Sequence, residues 1–367
     1  MNTLCPGQRT ALRRASSLLL AALTASSISA APLYWNAASG SAWLTAGNWS
    51  TDAAGTTASG AVPTIDDDLI FNSTPFSANP NQTSIAGNVA ARSLTFSGTS
   101  TMRLSQSGTR TLLLGGGGIT VNSGATGITI GESTNSLYTE ATVSQTWANN
   151  SASSLSVRRV RASNSASGDV TLTLSANSTG NISFNNSIED SLDGTKKLVV
   201  VIDSAGTGTV SLLASTWTGG TTVKRGILQA GSANIGAGSV TLGDTTGNGN
   251  ATLRVNTTAL FNTNLVVQAG NTGVSTLEFI TSPVGGTYAG NISLAGDLVV
   301  GVRNVGGGSF INGVISGTGN LIKGQYQGSN TTGMLTLGGI NTHSGDTIVN
   351  LGAFTLADDA ALTFYIG

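Results

Sequence analysis

The chain of 367 residues contains one histidine, His343, and an acidic residue follows it at Asp346. A histidine beside a carboxylate is the base of a Ser-His-Asp hydrolase when the fold brings a serine to it. His343, however, occupies a position that a tryptophan, Trp217, fills in a similar stretch of the chain. This match favours a packing role for His343 at a corner of the fold.

Two acidic segments contain the carboxylate oxygens that calcium prefers. The first is Asp66-Asp67-Asp68, although a turn before the apolar run Leu69-Ile70-Phe71 is the simpler interpretation. The second, Asp244 to Asn250, resembles the first half of a calcium loop, but Val255 stands where a bidentate glutamate is needed. We therefore predict no metal, cofactor-binding or catalytic residue.

Two further segments have the composition of anion-binding sites. Arg158, Arg159 and Arg161 form a small basic cluster, which we interpret as solvent-facing strand residues rather than a nucleic-acid contact, because the chain is net acidic. The run Gly115 to Gly118 lacks the Lys-Ser/Thr of a phosphate-binding loop and precedes a strand. We expect a flexible corner there, and no nucleic-acid partner.

The elements around His343 are short alternating runs separated by Gly, Asn and Ser. Between Gly333 and Leu356 there are three such runs: Leu335-Thr336-Leu337, Thr347-Ile348-Val349 and Phe354-Thr355-Leu356. This period of two with tight corners is typical of one rung of a stacked β-coil. A second copy lies near residue 208, and from Trp217 and His343 onward the two copies align without a gap.

The repeated pattern is Gly-x-Leu-x-Leu, a corner with Asn, an aromatic residue, and then Thr/Ser-Gly-x-Thr-x-Val-x-x-Gly-x-Leu. It resembles the autotransporter-associated β-strand repeat, which is also called the passenger-associated transport repeat. Gly317, Gly319, Leu321 and Lys323 match the lead-in of that repeat, whereas His343 replaces its usual tyrosine.

The matching copies cover about residues 208–231 and 317–356. The resemblance implies a right-handed parallel β-helix in a bacterial surface or secreted protein, with no shared catalytic residues.

Residues 1–30 read as an export signal. An arginine-containing start precedes a short apolar run, Leu18 to Leu23, and a small-residue cleavage site, Ile28-Ser29-Ala30. Removal of its three arginines leaves 13 of the 16 basic residues against 17 acidic ones, and the sole cysteine, Cys5, leaves as well. We predict an exported chain without disulfides and without a transmembrane segment, because the apolar run is shorter than the roughly 20 residues of a membrane span.

Residues 31–88 are predicted to form an N-terminal cap and the first coils. They contain Trp35, Trp43 and Trp49, three of the five tryptophans. A solenoid needs its first coil covered, since an open end exposes apolar side chains and unpaired strand edges. The alternative is a platform of exposed tryptophans for stacking on carbohydrate.

Residues 89–367 are predicted to form an all-β parallel β-helix (β-solenoid). With about 20 to 25 residues per coil, we expect about 14 to 16 coils in a rod roughly 70 Å long. The last residues, Leu362 to Gly367, look like a strand without a cap. We therefore expect the C-terminus to be truncated, with an outer-membrane translocator as a possible continuation.

Two classes of function remain open. The first is a non-enzymatic exported rod, a structural stalk or adhesin that assists its own export and contacts cell-surface or extracellular polysaccharide. The second is a polysaccharide lyase or glycosidase on the same scaffold, which requires clustered charged residues on one face. Because only 9% of the residues are charged, the first class is favoured.

Overall fold

The computed structural model describes residues 31–37, 40–72, 81–132, 137–213, 215–233, 235–280, 285–303, 308–327 and 333–357. The predicted export signal, residues 1–30, and the predicted last strand, Leu362 to Gly367, lie outside these residues. The described part of the chain folds into 31 short strands and one turn of 3-10 helix, Ala46–Asn48.

The strands of the N-terminal half are β1 Leu33–Trp35, β2 Trp49–Ser50, β3 Asp68–Phe71, β4 Asn81–Ile85, β5 Val89–Phe96, β6 Met102–Gln106, β7 Arg110–Val121, β8 Ile128–Ile130, β9 Leu137–Ala141, β10 Gln145–Asn149, β11 Leu155–Val157, β12 Arg159–Ala162, β13 Val170–Ala176, β14 Ile182–Phe184 and β15 Ile188–Glu189.

The strands of the C-terminal half are β16 Leu198–Asp203, β17 Thr209–Leu212, β18 Thr221–Ala230, β19 Val240–Leu242, β20 Ala251–Val255, β21 Leu265–Val267, β22 Ser275–Phe279, β23 Thr287–Tyr288, β24 Ile292–Leu294, β25 Leu298–Val302, β26 Ser309–Ile311, β27 Ile315–Gly317, β28 Leu321–Lys323, β29 Leu335–Leu337, β30 Thr347–Val349 and β31 Phe354–Leu356.

The strands stack into a parallel β-solenoid of about 10 turns, which confirms the predicted fold class. Partners in adjacent turns lie between 19 residues apart, as in Val223 and Leu242, and 28 residues apart, as in Ile119 and Trp147. The expected 14 to 16 coils were therefore too many. Several turns are longer than we assumed, and much of the chain before β3 covers the first turn instead of adding turns. Ten turns at the usual strand spacing give a stack roughly 48 Å long.

Each turn passes through three parallel sheets, which we name faces A, B and C. Face A contains β1, β3, β10, β13, β16, β19, β21, β24 and β27, with the second halves of β5 and β7 and the first half of β18. Face B contains β4, β6, β8, β11, β14, β17, β20, β22, β25, β28 and β30, with the second half of β18. Face C contains β9, β12, β15, β23, β26, β29 and β31, with the first halves of β5 and β7.

The two copies of the sequence repeat lie on different faces. In the first copy, β17 belongs to face B, Thr221 to Val223 of β18 to face A, and the end of β18 to face B again. In the second copy, the matching strands β29, β30 and β31 belong to faces C, B and C. Every strand of the second copy is thus one face further around the axis than its counterpart in the first.

The core is built from columns of inward apolar side chains. Strand residues alternate between the core and the outside, as period-two patterning requires, and each inward side chain stacks on its partner in the next turn. Along face A, one such column is at most 1% exposed throughout: Leu94, Ile119, Trp147, Leu174, Ile202, Val223, Leu242, Val267 and Leu294. Full burial of an apolar side chain of this size contributes about 1.5–3 kcal/mol.

Corner side chains continue the stacking by hydrogen bonding from one turn to the next. Asp297 Oδ1 accepts the backbone N–H of Asn320 at 2.9 Å, and Asn320 Oδ1 accepts that of Asp346 at 2.8 Å. Asn264 and Asn291 form a similar series, which ends at Val314. Such contacts satisfy backbone donors where the chain leaves a sheet. Much of the Asn and Asp content therefore serves the wall of the solenoid.

The glycine run Gly115 to Gly118 forms a corner inside β7, between faces C and A. Our expectation of a flexible corner was wrong, because the neighbouring turns crowd it. A Cβ atom on Gly118, which has φ of +64°, would lie 2.1 Å from Thr146 O, and one on Gly117 would lie 2.5 Å from Ser93 Cβ. Glycine is needed here for close approach and for a left-handed backbone.

The aromatic cap predicted at the N-terminus is present. Trp35, Trp43 and Trp49 are at most 1% exposed. Trp35 and Trp43 meet Trp49 edge to face at 4.9 and 5.1 Å, and Phe71 stacks on Phe96 of the next turn at 5.0 Å. The alternative of an exposed tryptophan platform is wrong, since no face of these rings is free to stack on a sugar.

Candidate functional site

The structure does not bring His343 and Asp346 together as a catalytic pair. His343 is 5% exposed, at the corner before β30, and its Nε2 lies 2.9 Å from Thr347 Oγ1. Among the described residues, no partner lies within hydrogen-bonding distance of the buried His343 Nδ1. Asp346 is exposed and contributes its backbone N–H to Asn320. Burial lowers the pKa of His343 below its ordinary value, which keeps the ring neutral.

The acidic segments form turns and ion pairs. Asp67 Oδ2 accepts the backbone N–H and the hydroxyl of Thr64 at 2.7 and 2.8 Å, and Asp68 pairs with Arg92. In the second segment, Asp244 lies 3.7 Å from the ammonium of Lys224. Within the described ranges, no group of three or more His, Cys, Asp and Glu side chains comes close enough to hold a metal ion.

The arginine cluster lies on face C in a network with aromatic and acidic partners. Arg161 is 9% exposed, donates to Glu140 from Nε at 2.7 Å and packs over the ring of Tyr138 at 4.1 Å. Arg159 donates to the Tyr138 hydroxyl at 3.0 Å and lies 3.6 Å from Glu189. Our prediction of solvent-facing arginines was wrong for Arg161, because partners in the neighbouring turns bury and neutralise it.

Face B carries a groove that we did not predict from the sequence, and we call it the Glu278 groove. It encloses about 460 Å³ and lies across the ends of β22, β25 and β28 and the corner after β30. Its lining is Thr276, Glu278, Val299, Ile322, Gly324, Gln325, Gln327, Asn350 and Leu351. Glu278 is the only ionisable side chain in this lining.

An ion pair between adjacent turns fixes one wall of the groove. Arg254 and Glu278 are register partners on β20 and β22, and Arg254 Nε lies 2.8 Å from Glu278 Oε2. The other oxygen, Oε1, accepts the backbone N–H of Gln327 at 3.2 Å. Both carboxylate oxygens are thus engaged, and the bond to Gln327 holds the segment after β28 against the wall.

The segment that Glu278 holds has an unusual backbone. Gln327 has φ of +48° and is the only non-glycine residue with positive φ in the described part of the chain. Its neighbour Tyr326 approaches the wall at Gly301, where an added Cβ would lie 2.6 Å from Gln325 O and 3.2 Å from Tyr326 Cα. Burial, with a smaller contribution from the negative charge of Glu278, raises the pKa of Tyr326. Gly301 thus permits a close approach that a larger residue would block.

A second groove lies on face B near the other end of the solenoid. It encloses about 330 Å³, and its lining includes Arg103, Arg158, Glu132, Thr129 and Ser156. Two guanidinium groups and one carboxylate leave this lining with an excess of positive charge. The two grooves of face B therefore differ in charge as well as in position.

The sequence contained one sign of the Glu278 groove. Arg254 and Glu278 are separated by 24 residues, which is one turn at this point in the chain. Because turns range from 19 residues, between Val223 and Leu242, to 28, between Ile119 and Trp147, this separation has no meaning until the register is known.

No helix in the described residues is long and apolar enough to cross a membrane. Comparison of the whole chain with protein-family models, with curated proteins and with solved structures gave no match, so the functional argument rests on the molecule's own geometry.

Proposed function

We propose that this chain is an exported, non-enzymatic β-helical rod, displayed at the bacterial surface or secreted, that acts as a stalk or adhesin resembling an autotransporter passenger. The observation that carries the proposal is the rotation of the repeat. Its two copies match residue for residue beyond Trp217 and His343, yet each strand of the second copy lies one face further around the axis.

A repeat that shapes a catalytic or binding face should return to the same face, since a partner contacts one side of a rod. A repeat that only builds strands and corners has no such requirement, because inward stacking is equivalent on all three faces. The rotation therefore supports wall building as the role of the repeat. Display of a long, stable wall is what a stalk needs.

The geometry of the carboxylates supports binding rather than bond cleavage. Glycosidases use two carboxylates placed about 5 to 10 Å apart across the sugar. Within the described residues, the lining of the Glu278 groove contains one carboxylate, and Arg254 and Gln327 engage both of its oxygens. A polysaccharide lyase or glycosidase remains the second candidate that the scaffold allows.

Export is supported by the sequence pattern of residues 1–30 and by the absence of cysteine after Cys5. The test is expression of the full chain in a bacterium, with mass spectrometry of its N-terminus. We expect a product beginning at Ala31 outside the cytoplasm, and an unprocessed product in the cytoplasm for the control Leu19→Arg/Leu20→Arg. Unprocessed wild-type chain in the cytoplasm would refute export.

The non-enzymatic part of the proposal has a separate test. Purified protein is incubated with neutral and acidic polysaccharides, and new reducing ends and unsaturated products are measured. We expect neither. Depolymerisation that Glu278→Gln abolishes would establish the enzymatic alternative instead.

A further inference from the structure

We infer that the Glu278 groove binds a short stretch of a neutral glycan chain. This inference rests on the proposed function, in which extracellular polysaccharide is the partner, and assigns that contact to one place on face B. It follows from the chemistry of the lining, its charge, its shape and its rigidity.

The lining combines an aliphatic floor with neutral hydrogen-bonding groups. Val299, Ile322 and Leu351 supply apolar surface, whereas Thr276, Gln325, Gln327 and Asn350 supply one hydroxyl and three carboxamides. A carboxamide both donates and accepts hydrogen bonds, as each sugar hydroxyl does. A pyranose ring has the same combination of polar edges and C–H faces, and pockets that orient a ligand by a few polar groups over apolar surface are typical of small-molecule sites.

The charge of the groove favours a neutral ligand. Glu278 is paired with Arg254 at 2.8 Å, so the wall presents a neutralised pair rather than a free charge. The second groove of face B has two arginines, Arg103 and Arg158, for one glutamate and suits an acidic group better. A ligand with a carboxylate or sulfate on each unit would find no counter-charge in the lining of the Glu278 groove.

The shape of the groove suits an extended chain. Thr276, Val299, Ile322 and Ile348 are successive register partners in four adjacent turns of face B, and the lining reaches from Thr276 to the corner just after Ile348. Three strand spacings correspond to roughly 14 Å along the solenoid axis. This length accommodates several linked sugar units lying parallel to the axis.

The groove is held in one conformation before any ligand arrives. Positive φ at Gln327 is unfavourable for a residue with a side chain, and the hydrogen bond from its N–H to Glu278 Oε1 helps to maintain it. Residues with such a backbone concentrate at ligand-binding sites. Because Arg254 fixes Glu278 in turn, binding requires little ordering of the wall, which favours affinity.

The test is a titration of the purified mature chain with hexasaccharides. The neutral probes are linear glucose, mannose and galactose oligomers, and the acidic probe is a galacturonate hexamer, with binding measured by calorimetry and by saturation-transfer NMR. We expect saturable binding of at least one neutral probe, at least ten-fold tighter than that of the galacturonate probe.

Two pairs of variants locate the site. Gln325→Ala/Asn350→Ala should weaken binding at least ten-fold, whereas Gln229→Ala, on the same face outside the groove, should leave it unchanged. Thr276→Trp should block binding by bulk, and Ser293→Trp, at the outward position of the neighbouring strand on face A, should not. Circular dichroism of each variant establishes that the solenoid is intact.

The inference is overturned if no neutral probe binds, if the galacturonate probe binds more tightly, or if the groove variants bind as the controls do. None of these results would alter the N-terminal processing that tests export. Failure of this site can thus be separated from failure of the proposed function.

Discussion

The two copies of the repeat have the same strands and corners but enclose different side chains. In the first copy the corner is filled by Trp217, which is fully buried with its Nε1 donating to Gly220 O at 3.1 Å. In the second copy, the same position holds His343, and the preceding strand points Lys323 inward, 1% exposed, with its ammonium 3.2 Å from Gly324 O and 3.3 Å from Leu351 O. The first copy is closed by an aromatic ring, and the second by two groups that can gain or lose a proton.

This difference shows what the repeat specifies. The pattern fixes where a strand runs and where the chain turns, since both copies form parallel ladders with their neighbours. It does not fix which face a strand joins or what fills the corner. We therefore expect the first copy to unfold independently of pH near neutrality and the second to respond to pH.

The largest expected effect is the loss of the aromatic ring in the first copy. Trp217→Ala should lower the free energy of unfolding by about 3–5 kcal/mol, because it leaves a large cavity in a fully buried site. Urea denaturation followed by far-UV circular dichroism measures the change. The matched variant His343→Ala should cost clearly less, and equal losses at the two corners would contradict the comparison.

The second effect is a pH dependence confined to the second copy. The pKa of His343 is below its value of 6.5 in the unfolded chain, so below pH 6.5 the unfolded state binds more protons than the native state. Stability should then fall as the pH drops from 7 to 5, by at most about 1.4 kcal/mol per pH unit. Denaturation at several pH values tests this in the wild type and in His343→Phe.

The Phe variant should lose that slope and keep the corner filled. A slope that persists in His343→Phe would assign the pH response to other groups.

The third effect concerns alkaline pH. Burial lowers the pKa of Lys323 from 10.5 to about 8, so between these values the unfolded state binds the proton and the native state does not. Stability should therefore rise as the pH increases from about 8 to 10.5. Lys323→Met should remove this rise and be neutral or stabilising at pH 7, since it replaces a buried charge by an apolar side chain. Destabilisation at pH 7 would show that the ammonium contacts outweigh its desolvation.

The smallest effect is expected at outward positions. Thr222 and Ile348 are counterparts in the two copies, and both point away from the core. Exchange of their side chains in Thr222→Ile/Ile348→Thr should change the free energy of unfolding by less than about 0.5 kcal/mol. A larger change, measured by the same urea denaturation, would mean that the repeat does encode its face.

Local patterning made the fold predictable, and register made the site unpredictable. The alternation in stretches such as Thr221 to Val223 determines which side chains point inward, so the solenoid and its buried tryptophans followed from sequence. The number of turns did not, because corner lengths vary. Arg161 was misjudged and the Glu278 groove was missed for a related reason, since Glu140, Arg254 and Gln327 reach their partners through register that only the folded chain defines.

Hydrogen exchange measured by mass spectrometry at pH 8 and pH 5, corrected for intrinsic rates, tests most directly whether the two copies share one wall and differ in what fills it. The account predicts protected amides in β17, β18, β29 and β30 at pH 8, and faster exchange at pH 5 in β29 and β30 alone. It also predicts that His343→Phe restores their protection. Equal changes in both copies, or exchange in β29 and β30 that ignores pH, would contradict it.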